Sequence, residues 1–222
     1  MKKYELAIFD LDGTILDTLD DLTDSVNYAL EQHGYPTRTK EEIRTFVGDG
    51  LLMLVRRAIA PETDENVIQT VLATQKAYYK DHCADKTKPY EGILELLAEL
   101  KKAGLKLAVV SNKADYAVQI LCEQYFSGIF HMAVGEKEAV RKKPAPDSVY
   151  AVLDELQVEK ERAVYIGDSE VDIETAKNAG LDAVLVTWGF RDTEFLREKG
   201  AKILVNDRNA LKNALIHETF LL

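Results

Sequence analysis

Near its start the chain reads Ala7-Ile8-Phe9-Asp10-Leu11-Asp12-Gly13-Thr14, an apolar run that ends in two acidic residues. The run predicts a buried parallel strand over residues 4–9, and open α/β sheets bind ligands at the carboxyl ends of such strands. Asp10 and Asp12 lie two residues apart, so in extended backbone their side chains share one face. Two close carboxylates repel each other unless a cation or a proton relieves them. The stretch therefore predicts a divalent-metal site at a sheet edge; the alternative is an ordinary turn, where Asp and Gly are common.

The composition indicates a globular protein without a nucleic-acid partner. A chain of 222 residues can hold one large domain, or a core domain with a smaller insertion. Charged residues make up 30% and hydrophobic residues 46%, which is ordinary for a soluble protein. The net charge is −10, whereas nucleic-acid binding needs clustered Lys and Arg. A small anionic substrate stays compatible with this charge, because a metal and a few lysines can reverse the field locally.

The amino terminus bears on localisation. Met1-Lys2-Lys3 faintly resembles the start of a signal peptide, but Glu5, Asp10 and Asp12 interrupt the hydrophobic segment that such a peptide needs. We therefore predict a cytoplasmic protein with no membrane partner. The two cysteines lie far apart along the chain and form neither a disulfide framework nor a zinc pattern.

A helical pattern follows the first motif. Thr39 to Glu42 has the Thr-x-x-Glu form of a capping box, which predicts the start of a helix. Apolar residues recur at helical spacing on both sides of it, with Gly48-Asp49-Gly50 as a loop. Predicted helices cover residues 17–32, 39–47, 51–59 and 64–83. We predict an all-helical cap domain of residues 17–85, without strands, inserted into a core domain of residues 1–16 and 86–222.

From Lys88 onward short apolar strands alternate with helices, which is typical of right-handed βαβ units. The predicted fold is α/β, a doubly wound parallel sheet with a Rossmann-like core. The carboxyl ends of parallel strands meet at one edge of such a sheet. Four strand ends or following loops carry reactive side chains, which are Asp10 with Asp12, Ser111 with Asn112, Lys143, and Asp168 with Asp172. Together they offer carboxylates for a hard cation such as Mg²⁺ and a lysine for an anion, as phosphoryl transfer requires.

These segments resemble a known family. Asp10-Leu11-Asp12-Gly13-Thr14, Ser111-Asn112, Lys143-Pro144 and Gly167-Asp168-Ser169-x-x-x-Asp172 are similar to the four motifs of the haloacid dehalogenase superfamily, in the same order. The helical insertion resembles the α-helical cap of that superfamily. Two further segments most resemble phosphoglycolate phosphatases, and they are Val47-Gly48-Asp49-Gly50 and Val186-Thr187-Trp188-Gly189.

The resemblance implies a role for each motif. Asp10 would be the nucleophile that forms an aspartyl-phosphate, and Asp12 would protonate the leaving oxygen and then activate water. Lys143 would neutralise the phosphate and Asp10. Mg²⁺ would be held by Asp10, Asp168, the backbone carbonyl of Asp12 and, at the edge of the shell, Asp172. Phosphate and substrate contacts are expected at Thr14, Ser111 and Asn112 in the core and at Gly48, Asp49 and Gly50 in the cap.

Each of these roles has a simpler alternative. Ser111-Asn112 could be a plain helix cap, Lys142 could replace Lys143 in the basic run, and Asp172 could merely favour a helix N-terminus. Because its charge would repel a substrate carboxylate, Asp49 is expected to point away or to face a basic partner.

The leading function is a Mg²⁺-dependent phosphatase acting on a small-molecule phosphate ester. Dehalogenation would keep the nucleophile but has no use for Asp12 or a metal. Inorganic pyrophosphatase and sugar-phosphate phosphatase or mutase activities stay open. A non-enzymatic alternative is a phospho-accepting signalling module, which would not carry a helical insertion after its first strand. The sequence leaves the ester and the oligomeric state undetermined.

Overall fold

A computed structural model describes residues 4–216 of the chain. The predictions for residues 1–3 and 217–222, as parts of the core domain, lie outside this range. The strands are β1 (Leu6–Phe9), β2 (Leu16–Asp17), β3 (Lys88–Pro89), β4 (Lys106–Ala114), β5 (Met132–Glu136), β6 (Ala163–Gly167), β7 (Asp182–Val186) and β8 (Leu204–Val205). The helices are α1 (Leu19–Gln32), α2 (Lys40–Phe46), α3 (Gly50–Ala58), α4 (Glu65–His82), α5 (Ile93–Lys102), α6 (Asp115–Phe126), α7 (Asp147–Glu155), α8 (Glu170–Ala179), α9 (Thr193–Glu198) and α10 (Arg208–Ile216).

The core is a parallel sheet with the strand order β5-β4-β1-β6-β7-β8. Strand β1 lies between β4 and β6, and Ile8 pairs with Ala108 on one side and Tyr165 on the other. All four β1 residues are fully buried, which explains why this strand is apolar on both faces. Helices cover both faces of the sheet and enclose two hydrophobic clusters. The predicted doubly wound α/β fold is confirmed.

Helices α1 to α4 occupy the segment that the sequence assigns to the cap. The predicted capping box is present, because the Thr39 hydroxyl accepts from the Glu42 amide at 3.2 Å and the Glu42 carboxylate accepts from the Thr39 amide at 2.8 Å. Helix α2 therefore begins where the sequence predicts. No helix within residues 4–216 combines the length and the apolar composition that a membrane span needs.

Three local predictions need correction. Strands β2 and β3 form an antiparallel ribbon at the two chain crossings, so the insertion predicted to lack strands begins with Asp17 in one. A two-residue strand is too short to show any periodicity. Helix α9 was not predicted. The sequence predicts a strand of residues 107–110 and a helix from Ala114, whereas β4 runs on to Ala114 with a shift of register after Val110. This irregular end of β4 carries residues 111–113.

Candidate active site

The structure brings three of the predicted acidic residues together at the carboxyl ends of β1 and β6. One carboxylate oxygen from each of Asp10, Asp168 and Asp172 lies within 4.8 Å of the others, and all three residues are buried. Oxygen-only donors of this kind suit Mg²⁺, which needs few protein ligands because it keeps waters and substrate phosphate. The cluster therefore fits a divalent cation, with Asp10 and Asp168 as the ligands predicted from the sequence.

Without a cation, ionising the carboxyl groups of the acidic cluster is unfavourable, and the pKa values of Asp10 and Asp168 are raised. Burial, opposed by Lys143 but reinforced by Asp172 and Asp12, raises the pKa of Asp10 to about 6. Burial together with the charges of Asp172 and Asp10 raises the pKa of Asp168 to about 8. Both shifts have the same physical origin, since ionised carboxylates are poorly solvated here and repel one another.

Asp168 is held in place by donors that the sequence did not assign to it. The Thr14 hydroxyl donates to its Oδ1 at 3.0 Å, and the Phe190 amide donates to its Oδ2 at 2.7 Å. Thr14 is fully buried, so the structure places it as a support of Asp168. Gly13 has φ +81°, and a Cβ atom there would collide with the Asp168 carboxylate. The glycine of the first motif thus gives Asp168 the space to approach the turn after β1.

Lys143 is the lysine of the site. Its Nζ lies 3.0 Å from Asp10 Oδ1 and 2.7 Å from Asp172 Oδ1, and it also donates to the Tyr165 hydroxyl at 3.0 Å. Burial alone would lower the pKa of Lys143, but the two carboxylates raise it well above its usual value. Lys142 points elsewhere and donates to the Asp49 carbonyl at 2.7 Å. The geometry therefore separates the two candidates that the basic run left open.

Asp172 caps its helix, as the simpler alternative predicts, and also binds Lys143. Its Oδ1 binds Lys143, while its Oδ2 accepts from the amides of Asp168 and Ser169 at 3.1 Å and from the Ser169 hydroxyl at 2.7 Å. The second set of bonds caps the first turn of α8. Asp172 therefore fixes Lys143 and α8 and is at the same time a member of the acidic cluster.

Ser111 and Asn112 lie at the end of β4, both nearly buried, and line one cavity with Asp10. The Asn112 side-chain amide donates to the Lys143 carbonyl and to the Gly48 carbonyl, each at 3.0 Å. The cap loop thus sits on the rim of the core. Space for the centres of water molecules in this cavity amounts to about 40 Å³, enough for a few waters.

The loop of residues 48–50 is fixed from both sides. Asp49 faces Arg57 at 2.5 Å, so the expected basic partner is present. From the core, Arg191 donates to the carbonyls of Arg44 at 3.0 Å and Val47 at 2.7 Å, while Glu170 holds its guanidinium at 2.9 Å. Gly48 and Gly50 line the cavity opposite Asp10. The three catalytic-motif segments and the cap loop therefore enclose one space.

Residues 7–186 match the family model of the haloacid dehalogenase-like hydrolases. The chain belongs to this family. A phosphoglycolate phosphatase of Pseudomonas savastanoi pv. phaseolicola is 31% identical over 217 residues, which cover 95% of this chain and 79% of that protein. One of Colwellia psychrerythraea is 31% identical over 218 residues, which cover 95% and 96%. A crystal structure of a candidate phosphoglycolate phosphatase from Lactobacillus delbrueckii subsp. bulgaricus is 43% identical, with a TM-score of 0.94 over 98% of this chain and 100% of that one.

These relatives confirm the resemblance that the four motifs indicated. The family and the curated relatives together make this haloacid dehalogenase-like hydrolase a phosphoric monoester hydrolase.

Sequence reasoning missed three side chains of this hydrolase. Lys113 lies 2.8 Å from Asp12 and contacts the Tyr79 hydroxyl, and Arg191 joins the core to the cap loop. Lys113 follows Ser111-Asn112 directly, so its place after the second motif was the available signal. Tyr79 has the spacing of an ordinary core residue of α4, and Arg191 has no distinguishing pattern.

Proposed function

We propose that the chain is a Mg²⁺-dependent phosphatase that hydrolyses a small organic phosphate monoester, such as phosphoglycolate, through an aspartyl-phosphate on Asp10. One observation carries the proposal: the Asp10 carboxylate lines the cavity, lies 3.0 Å from Lys143 Nζ, and forms a buried acidic cluster with Asp168 and Asp172. A carboxylate that attacks phosphorus must be accessible to the substrate. It also needs nearby positive charge, which Lys143 and a bound Mg²⁺ would supply, to offset the negative charge of the phosphate.

Asp10 and Asp168 would hold Mg²⁺ with the backbone carbonyl of Asp12, and Asp172 would lie at the edge of the shell. When bound, the ion would neutralise charge on the phosphoryl oxygens. The side chain of Asp12 is turned to Lys113 and does not belong to the cluster of three carboxylates, which leaves it available for proton transfer. This division of the two motif aspartates is what the proposed chemistry requires.

In the first step an oxygen of Asp10 attacks phosphorus, the bond from phosphorus to the ester oxygen breaks, and Asp12 gives its proton to the departing alkoxide. In the second step water attacks phosphorus, Asp12 takes a proton from that water, and the bond to Asp10 breaks. Inorganic phosphate leaves and both aspartates return to their starting states. Ser111, the amide of Asn112 and Lys143 would hold the phosphoryl oxygens throughout.

The lining of the cavity supports a small substituent on the phosphate. Its cap side is formed by the glycines of residues 48–50 and by the apolar side chains of Leu51 and Leu54. Glycines let the backbone approach a small ligand closely, which suits a short substituent better than a bulky sugar. The names of the relatives point to the same kind of ester.

Release of inorganic phosphate from a panel of esters tests the proposal. The panel contains phosphoglycolate, pyrophosphate, sugar phosphates and nucleotides, each with Mg²⁺ and with chelator. We expect turnover of phosphoglycolate in Mg²⁺ and its loss in chelator. Turnover without any metal, or a single phosphorylation of Asp10 without turnover, would contradict a metal-dependent phosphatase and favour other members of the superfamily or the signalling alternative.

A further inference from the structure

Two buried lysines stand on either side of the site, and each contacts one aspartate of the first motif and one tyrosine. Lys143 binds Asp10 and the hydroxyl of Tyr165, a residue of the core sheet. Lys113 binds Asp12 at 2.8 Å and the hydroxyl of Tyr79 at 2.5 Å, and its Nζ lies 4.8 Å from the centre of the Tyr79 ring. The difference is the origin of the tyrosine, because Tyr79 belongs to cap helix α4.

We propose that Lys113 is a positioning residue that holds the Asp12 carboxylate on the leaving-group side of the site, and that Tyr79 of the cap holds Lys113 in turn. The proposal rests on the proposed function, since it concerns the proton transfers assigned to Asp12. It adds a side chain outside the four motifs and links proton transfer to the seating of α4.

Lys113 and Asp12 form an ion pair that is largely shielded from solvent. The Lys113 side chain is 1% exposed and that of Asp12 is 13% exposed, so the pair is held where an ion pair is strong and an unpaired charge is costly. With Mg²⁺ bound, a carboxylate in this site would have two cations available, Lys113 and the ion held by the acidic cluster. Without Lys113, the carboxylate of Asp12 would be drawn to the dication and away from the leaving oxygen. Lys113 therefore decides where Asp12 points.

The Tyr79 hydroxyl accepts a hydrogen bond from the buried ammonium group of Lys113. A lysine ammonium has three hydrogens to place, and a buried one needs acceptors for them. Asp12 accepts one and the Tyr79 hydroxyl accepts another. Burial raises the pKa of Tyr79 above its usual value, so the phenol stays neutral and acts as acceptor. Because Tyr79 is fully buried on α4, its hydroxyl meets Lys113 when this helix is seated on the core.

Two esters with different leaving groups test the proposal. p-Nitrophenolate is a stable anion that leaves without a proton, whereas the alkoxide of phosphoglycolate, or of glycerol phosphate as a second alkyl ester, needs one. We expect Lys113→Met to lower kcat/KM for the alkyl esters by about 10²-fold or more, and for p-nitrophenyl phosphate by less than about threefold.

Hydrolysis of the phosphoenzyme needs Asp12 for every ester, because the nucleophile is then water. For p-nitrophenyl phosphate, Lys113→Met should therefore lower kcat and KM together, and a burst of p-nitrophenolate should precede the slow steady state. A merely structural role would instead reduce the active fraction, which lowers kcat equally for all esters and leaves KM unchanged.

Matched variants guard against a folding defect. Tyr79→Phe keeps the ring and removes only the hydroxyl, and it should give the same pattern with a smaller loss, about 3–10-fold for the alkyl esters. Tyr78→Phe makes the same change one residue away, where the ring stacks on Tyr28 at the cap surface. It should leave kcat and KM unchanged for the alkyl esters and for p-nitrophenyl phosphate. In Asp12→Asn, a further Lys113→Met change should add little, because Lys113 acts through Asp12.

The Asp12→Asn variant distinguishes a failure of the proton-transfer role of Asp12 from a failure of the positioning role of Lys113. If Asp12→Asn lowers kcat/KM equally for alkyl esters and p-nitrophenyl phosphate, the proton-transfer role of Asp12 fails and the proposed function fails with it. If Asp12→Asn shows the selective loss and Lys113→Met shows an equal loss or none, the positioning role of Lys113 is overturned by itself. A Tyr79→Phe protein with wild-type constants for both esters would overturn the link to the cap.

Discussion

Binding of Mg²⁺ should stabilise the protein strongly at pH 8.5 and hardly at all at pH 5.5. The reason is the competition between protons and the cation for Asp10 and Asp168, whose pKa values are raised to about 6 and about 8 from 3.8. A carboxyl group whose pKa is raised by folding stabilises the folded state below its unfolded pKa, and this contribution is lost as the pH rises through the folded value. The metal-free protein should therefore lose stability between pH 4 and pH 9 through these two groups, and the cation should restore it.

The magnitude follows from the two pKa values. Going from pH 8.5 to pH 5.5 reduces the ionised fraction of Asp168 about 200-fold and that of Asp10 about fourfold, so the apparent Mg²⁺ affinity should fall by about 10³-fold. At a concentration 100 times Kd at pH 8.5, binding contributes about 3 kcal/mol, which for a chain of this length is a rise in Tm of about 5–11 °C. The same concentration at pH 5.5 should change Tm by less than about 1 °C.

Thermal unfolding at both pH values, with Mg²⁺ and with chelator, measures this difference. Asp168→Asn should abolish the effect of Mg²⁺ and should make the metal-free protein less sensitive to alkaline pH, since it removes the group with the larger shift. Asp192→Asn is the matched control, because its side chain is 78% exposed and pairs with Arg44 at the surface. Equal Mg²⁺ shifts at the two pH values would refute the assignment of the buried carboxylates as the cation site.

Three further predictions concern the nucleophile, the two lysines and the cap loop. Asp10→Asn should abolish the acid-stable, hydroxylamine-sensitive phosphoenzyme, and a variant that still takes up label would show that another residue is the nucleophile. Lys143→Met should lower kcat/KM by about 10³-fold for every ester, whereas Lys142→Met should cost less than about tenfold, since only Lys143 contacts Asp10; comparable losses would mean that the two lysines share the role. Arg191→Met should speed amide hydrogen exchange in residues 44–50, because it removes the donors to two carbonyls of that segment, and unchanged exchange would show that other contacts hold the loop.

Periodicity and turn chemistry were enough to predict the fold. A strand buried on both faces, such as β1, reads as a continuous apolar run, and the capping box at Thr39 marks the start of α2. The ribbon of β2 and β3 and the six-residue helix α9 escaped prediction, since they are too short for a repeating pattern and are formed by tertiary contacts.

Site residues that directly follow a strand could be predicted from the sequence. Contacts between side chains of elements that are distant in sequence could not. Asp10 and Asp168 stand directly after β1 and β6, so their convergence follows from the sheet. The pairing of Lys113 with Tyr79 joins residues 34 positions apart across the border of cap and core. Thr14 is predicted to contact the phosphate, and in the structure its hydroxyl donates to Asp168, a partner that the sequence did not indicate. Sequence spacing does not decide between such partners.

The charges of the site explain how a chain of net charge −10 can bind an anion. The buried ion pairs and the acidic cluster contain four carboxylates and two ammonium groups, namely Asp10, Asp12, Asp168, Asp172, Lys113 and Lys143. When the ester binds, Asp12 would carry the proton that it gives to the leaving oxygen, so three negative and two positive charges leave a deficit of one, and one divalent cation makes the site positive. Above about pH 8, where Asp168 is ionised without a cation, a phosphate dianion entering first would meet this deficit at close range. The exposed acidic residues matter less, because salt screens them beyond a Debye length of about 8 Å. Above about pH 8 the cation should therefore bind before the ester or together with it, and inorganic phosphate should bind the protein there only when Mg²⁺ is present.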